Sequence, residues 1–411
     1  MRVTLKKTVV ATYLLFCATL TFLNVLLYQN EPTGDQTEAS NVPSRAAGLF
    51  VTIFGRDSRK PLALLPEDST ETDRILEQIE YAPEISSLPR QPVKIFLPHG
   101  LGMYGGVSLG YKEFEVQNCR VKNCFITVNQ RDAPSAEVVF FRDSLIFPKS
   151  YQRPQNQLWV MQLLENPDYT STLRYANGHV NYTATYRWDS DIVTPYEKWV
   201  PLAQVPRDQR LPLTSKKLAR KSDYAKGKSE MVAWFVSHCH TNNNRLAYAK
   251  KLSRHISVHI FGDCGNMVCH RRDERCQTML DEDYKFYLSF ENNNCEDYVT
   301  EKYFVNGLQH DIIPVVMGPP RSYYEKISPP HSFIHVDDFR SPKELAAYLH
   351  YLDKNDSAYN EYFAWKGTGQ FINTKFWCRL CALAQNPRPK IHANIDGWWK
   401  KNSSCMSSSK H

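Results

Sequence analysis

The sequence predicts an α/β protein of two Rossmann-like domains facing a cleft, preceded by a single transmembrane helix and a stem. Three observations predict this. A long uncharged run stands near the N-terminus. Further on, two series of short apolar strands alternate with helical segments. A polar, basic stretch separates the two series. The 411 residues are 42% hydrophobic and 23% charged, which excludes a disordered chain, a collagen and a coiled coil. Lys plus Arg number 50 against 43 Asp plus Glu, a net charge of +7. So small an excess permits an anionic ligand and does not call for nucleic acid.

The uncharged run covers residues 8–28, after Arg2, Lys6 and Lys7. As a helix it spans about 31 Å, close to the roughly 30 Å hydrocarbon core of a bilayer. Positive charge before the run and acidic residues after it put residues 1–7 in the cytosol. A cleaved signal peptide would have a shorter apolar region and a small-residue cleavage site. The expectation is therefore a single-pass type II protein with its globular part lumenal. Cys17 lies in the run, which leaves ten cysteines beyond it. An oxidising lumen would pair many of them. Cys119 with Cys124 is one candidate pair, although connectivity does not follow from sequence. Asn181, Asn355 and Asn402 each begin a glycosylation triplet.

Residues 29–90 are rich in Pro, Ser, Thr, Glu and Asp and read as a stem, with a helix expected near 73–81. Residues 91–214 form the first α/β series, with strands over 93–97, 137–141 and 158–164. Residues 215–229 are a basic linker. Residues 230–385 form the second series, with strands over 231–236, 258–261, 285–290 and 312–317. Its helices are expected over 245–252, 299–308 and 342–352. Residues 386–411 are a tail. Short apolar strands alternating with helices indicate parallel sheets with βαβ crossovers.

Several motifs have plain readings. Gly100-Leu-Gly-Met-Tyr-Gly105 matches G-x-G-x-x-G, but no helix start follows and no acidic residue stands where a dinucleotide site needs one. Asp189-Ser-Asp191 is a D-x-D pair able to chelate a hard cation; such triplets are common, so no metal is expected there. Cys264, Cys269, His270 and Cys276 lack the two close pairs of a zinc site, and the three cysteines read as disulfide partners.

Residues 285–319 are the most informative: K-F-Y-L-S-F-E-N-N-N-C-E-D-Y-V-T-E-K-Y-F-V-N-G-L-Q-H-D-I-I-P-V-V-M-G-P. They read as strand, polar loop, helix, strand. Open α/β sheets bind ligands at the carboxyl ends of their strands. A helix N-terminus offers N–H groups to an anion, and Lys302 adds a full charge. Glu301 beside it can accept hydrogen bonds from sugar hydroxyls. The segment thus reads as a nucleotide or phosphate site.

This segment resembles the donor motif of the α1,3-fucosyltransferases, F-E-N…Y-V-T-E-K…I-P-V-V-x-G. The resemblance extends to Trp159-Val-Met-Gln-Leu-Leu-Glu165, to Asn181-Tyr-Thr-Ala-Thr-Tyr186-Arg187-Trp188-Asp189-Ser-Asp191, to Val236-Ser-His-Cys…Arg245, and to Trp377-Cys-Arg-Leu-Cys381. It covers about residues 90–400, and the C-terminal part is most like the insect core-type branch. It implies the GT-B arrangement, an acceptor domain over 91–214 and a GDP-fucose-binding domain over 230–385. It implies a Golgi enzyme that moves L-fucose from GDP-β-L-fucose with inversion. The acceptor would be the 3-OH of N-acetylglucosamine in a glycoprotein glycan, first of all the N-glycan core. A Lewis-type acceptor and a non-catalytic glycan-binding member are the alternatives. The resemblance makes Glu165 the general base. It assigns Arg245, Asn292, Tyr298, Glu301 and Lys302 to the donor, and Tyr186, Arg187 and Asp189 to the cleft. No cofactor is obligatory, and a divalent ion, Mn or Mg, would stimulate only. Three departures stand out: Asn166 after the base, Trp188 in place of a second Arg, and His238, His240 and Asn244 before Arg245.

Overall fold

The computed structural model describes residues 61–69, 71–84, 91–147, 151–270, 273–401 and 405–406. The expected anchor at 8–28, the first half of the stem and Asn402 lie outside them. Among the described residues no helix is long and apolar enough to cross a membrane.

The first sheet contains β1 (Val93–Phe96), β2 (Cys124–Thr127), β3 (Val138–Arg142), β4 (Leu158–Leu163) and β5 (Tyr182–Thr185). All are parallel, in the order β2-β1-β3-β4-β5. A short strand β6 (Trp199–Pro201) follows. The second sheet contains β7 (Glu230–Phe235), β8 (Val258–Phe261), β9 (Tyr284–Phe290), β10 (Ile313–Met317) and β11 (Ile334–His335). It too is parallel, in the order β11-β10-β9-β7-β8. All residues of β9 and β10 are buried, the pattern of strands covered on both faces. Finally β12 (Gly369–Phe371) pairs antiparallel with β6, so the chain returns to the first domain.

That return departs from the expected boundaries. Residues 376–385, expected in the second domain, form a helix, Phe376–Gln385, that packs Trp377, Leu380 and Leu383 into the core of the first sheet. Two disulfides hold it there, Cys119–Cys378 and Cys124–Cys381. Cys119 and Cys124 thus pair with the distant helix and not with each other. Residues 387–401 also dock on the first domain: Lys390 and His392 bond the buried Asp191, and Trp399 is fully buried. The stem departs as well. Its helix Arg74–Glu80 is packed, with Gln78 donating to the Asp191 carbonyl (2.8 Å) and Arg379 donating to Gln78 (3.0 Å). A buried side chain with such partners cannot belong to a solvated spacer. In the basic linker, Tyr224 and Ala225 join the second core, and Lys228 is buried on the Leu280 and Tyr284 carbonyls.

Candidate active site

Glu165 follows β4 at the carboxyl end of the first sheet. Its Oε1 accepts from the Tyr298 hydroxyl (2.9 Å), the Asn166 backbone N–H (2.9 Å), the Asn166 amide (2.8 Å) and the Asn292 amide (3.2 Å). Oε2 has no hydrogen-bond partner among the described residues, and the residue is exposed. One oxygen is anchored from both domains while the other is left for a reactant. The Tyr298 hydroxyl is driven far above its ordinary pKa, by burial first and then by Glu291, so it stays a neutral donor.

Asn166, a departure in the sequence, has a clear task here. Its amide also donates to Asn292 (2.9 Å), and its own Oδ1 accepts from the Asp168 N–H (3.1 Å). Asp168 in turn accepts from Asn293 (2.6 Å) and Asn242 (3.1 Å). The two asparagine triplets, 242–244 and 292–294, meet directly through Asn243 and Asn294 (2.9 Å). The loop after β4 is therefore bonded to two loops at the carboxyl ends of the second sheet's strands.

Arg245 opens the helix Arg245–Leu252, directly after Asn244 at φ 51°. Asparagine tolerates that left-handed conformation better than most residues. The guanidinium is buried, donating to the Phe290 carbonyl (2.6 Å) and the His238 carbonyl (3.0 Å), while Nε has no partner among the described residues. Burial lowers its pKa, but an arginine remains charged. Most of its fork is thus spent on bracing its own loops.

Lys302 stands by Thr300 Oγ1 (2.8 Å), Glu301 (3.1 Å) and Glu291 (3.3 Å). Burial works against its charge, but the Glu291 and Glu301 carboxylates outweigh it and lift the ammonium pKa. Glu291, fully buried, accepts from the Thr300 N–H (2.7 Å) and hydroxyl (2.8 Å); burial raises its pKa and Lys302 opposes that. Gly318 lies against this carboxylate, where an added Cβ would come 3.2 Å from Glu291 Cγ and 2.7 Å from the Tyr324 hydroxyl. The expected helix over 299–308 is one turn, Glu301–Tyr303, continued by a π-helical turn, Phe304–Leu308. Its Thr300 and Lys302 N–H groups are taken by Glu291 and by Thr300 Oγ1. The positive character here comes chiefly from Lys302.

The other proposed residues have different surroundings. Tyr186 is buried, with its ring 5.1 Å from that of Tyr298. Arg187 is 1% exposed and donates to both oxygens of Asp189 (2.9 and 2.6 Å) and to the Trp398 and Trp399 carbonyls (3.0 and 3.3 Å). This is an internal clamp on the C-terminal segment. Asp191 is buried and bonded by Thr183 (2.8 Å) and His392 (2.9 Å), so D-x-D is structural in these contacts. The Asn181 amide donates to the Lys390 carbonyl (2.7 Å), which engages the nitrogen a glycan would need. The Asn355 oxygen caps the helix Asp356–Glu361. Cys239–Cys264 and Cys269–Cys276 are disulfides, as is Cys295–Cys405.

Two parallel sheets of like strand order, with a held carboxylate on one and a lysine between carboxylates on the other, define a two-domain α/β architecture. Comparison with known proteins specifies it. Residues 103–197 match the profile "Fucosyltransferase, N-terminal", and residues 225–398 match "Glycosyltransferase family 10 (fucosyltransferase) C-term". The chain is 42% identical over 371 residues to "Glycoprotein 3-alpha-L-fucosyltransferase A" of Drosophila melanogaster, covering 87% of this chain and 71% of that protein. It is 37% identical over 309 residues to "Alpha-(1,3)-fucosyltransferase fut-1" of Caenorhabditis elegans, covering 72% and 68%. A crystal structure of an α1,3-fucosyltransferase with GDP aligns at 20% identity and a TM-score of 0.49, covering 78% of this chain and 98% of that one. The protein belongs to glycosyltransferase family 10, the fucosyltransferases.

Proposed function

We propose that the protein moves L-fucose from GDP-β-L-fucose, with inversion, to the 3-OH of N-acetylglucosamine in glycoprotein glycans, in the N-glycan core. The observation that carries this is the Glu165 carboxylate, anchored at Oε1 and free at Oε2. In one displacement the acceptor hydroxyl gives its proton to Oε2, its oxygen attacks the anomeric carbon, and the bond to GDP breaks. Lys302 stabilises the charge that develops on the diphosphate. Arg245 adds charge and holds the loop that faces it. Asn292, Tyr298 and Glu301 line the donor side. With a cation already at the leaving group, a divalent ion, Mn or Mg, stimulates and is not obligatory. The name of the Drosophila relative and the core-type motifs support a glycoprotein acceptor. The uncharged run at 8–28 supports a Golgi membrane anchor with a lumenal catalytic part.

The test is incubation with GDP-fucose and a panel of glycans, followed by linkage analysis. The expected product carries α1,3-linked fucose on the innermost N-acetylglucosamine. GDP binding without transfer to any glycan would overturn the proposal in favour of a non-catalytic binder.

A further inference from the structure

Asp168 belongs to the turn after β4, three residues past Glu165. Its Oδ2 accepts from the Asn293 amide (2.6 Å) and the Asn242 amide (3.1 Å). These donors stand on different loops of the second domain. Asn242 lies three residues before Arg245, in the loop after β7. Asn293 lies two residues after Glu291, the buried partner of Lys302 (3.3 Å). Among the described residues, Asp168 is the one first-domain side chain hydrogen-bonded to both loops.

The surroundings show what these bonds can do. Every side-chain hydrogen bond from residues 165–170 to a described residue outside that segment goes to the second domain. Bonds inside the segment, such as Thr170 Oγ1 to the Asn166 carbonyl (2.8 Å), shape the turn without placing it. The Tyr169 ring lies 5.3 Å from that of His238, whose carbonyl accepts from Arg245 (3.0 Å). Two of the sequence departures, Asn166 and His238, thus fall in this junction. Asn293 is 1% exposed, so its amide has little access to water. Without Asp168 its remaining acceptor in the first domain is Asn166 Oδ1, at 3.5 Å. A carboxylate also makes stronger bonds to amides than a neutral oxygen does. Asp168 itself is exposed. Water can take the place of its charge, but a water molecule does not tie three loops together.

We propose that Asp168 is a positioning residue for fucose transfer. It fixes the loop of the base against the two loops that carry Arg245 and the partner of Lys302, and so rests on the Glu165 assignment above. A single displacement needs the acceptor oxygen, the anomeric carbon and the leaving oxygen in line. A misplacement of about 1 Å costs on the order of a hundred-fold. A loosened base loop lets water compete with the acceptor. Water then attacks the anomeric carbon, the bond to GDP breaks, and one proton of the water passes to solvent, leaving free fucose and GDP.

The test uses the full chain, GDP-fucose and an uncharged biantennary N-glycan, with fucosylated product and free fucose measured together. Asp168→Ala should lower kcat for transfer at least about ten-fold and keep KM for GDP-fucose within about three-fold. It should also raise the ratio of hydrolysis to transfer. Asp168→Asn keeps an oxygen that can accept from both amides, and should hold transfer within about three-fold of the unaltered protein. Asp168→Ala with Asn242→Ala should be no slower than Asp168→Ala alone, since both act through one link. Asn242→Ala, at an exposed position, carries the test if Asp168→Ala does not fold, and should raise the same ratio. Transfer and hydrolysis falling in parallel, or no fall at all, would overturn the positioning role. Unchanged transfer by Asp168→Ala beside a collapse in Glu165→Gln would overturn that role alone. Near-normal transfer by Glu165→Gln would overturn the base assignment and the role of Asp168 with it.

Discussion

The two sheets have the same topology and are stabilised in different ways. The core around β7–β11 is drawn from residues 224–363, a continuous stretch. The core around β1–β5 draws on Leu65 and on Trp377, Leu380 and Leu383 as well. Its other face adds Ile395 and Trp399. One face of the second sheet is thus covered by a continuous stretch of chain, whereas the first domain is completed from both ends of the described chain. The two long-range disulfides close loops with sequence separations of 259 and 257. Fixing long loops removes much unfolded-state freedom, on the entropic account of such links. The domain that carries Glu165 thus takes part of its core from the C-terminal segment.

The largest expected effect comes from breaking that docking. Cys378→Ala with Cys381→Ala should cost about 2–5 kcal/mol for each link, enough to unfold the first domain. Limited proteolysis should then cut within 91–200 before 230–360. Equal cutting in both regions would remove the contrast between them. Next comes Arg187→Leu, which leaves Asp189 only Trp398 Nε1 and Lys401 and frees two carbonyls of the C-terminal segment. A loss of about 1–3 kcal/mol in denaturant unfolding is expected, since two carbonyls lose their charged donor and the half-exposed Asp189 loses one of its partners. A loss below about 0.5 kcal/mol would show that the clamp is idle.

Lys228 sharpens the comparison from the second domain. Burial depresses its ammonium pKa to about 7, with Asp281 and Asp311 pulling upward and Lys221 and Lys366 downward. The unfolded chain keeps that proton up to the ordinary value of 10.5. Between these values the unfolded state binds more protons, so stability rises with pH from about 7 toward 10. Lys228→Met should stabilise most at about pH 6, and the gain should shrink as pH rises. A gain independent of pH would contradict the assignment. The smallest stability effect is expected at Tyr298→Phe, which removes one donor from Glu165. It should lower kcat about ten-fold and leave GDP affinity within about two-fold, as read by steady-state kinetics and calorimetry.

The same contrast explains what could be read from sequence. The second domain's elements follow from local pattern: 245–252 and 258–261 match the helix and strand observed there. β2 and β5 went unread because C-F-I-T and Y-T-A-T are four residues long and carry polar or small side chains. The helix Phe376–Gln385 was missed because nine of its residues are buried, leaving little polar face to set a period. At the site, Glu165 and Lys302 were legible through motif. Asn166 stood out only as a departure, and the roles of Asn243 and Asn293 were not legible, because their partners are far apart in the chain. The only signal of Asn243 and Asn293 was the pair of asparagine triplets. Arg187 looked like a cleft cation because sequence shows its charge but not the Trp398 and Trp399 carbonyls that absorb it.

The central claim is that Glu165 is the base, and Glu165→Gln tests it most directly. Glutamine keeps the shape and can still accept from Tyr298, but it cannot take the acceptor's proton. Transfer from GDP-fucose should fall by at least about a thousand-fold while GDP affinity stays within about three-fold. Near-normal transfer by Glu165→Gln would contradict the account.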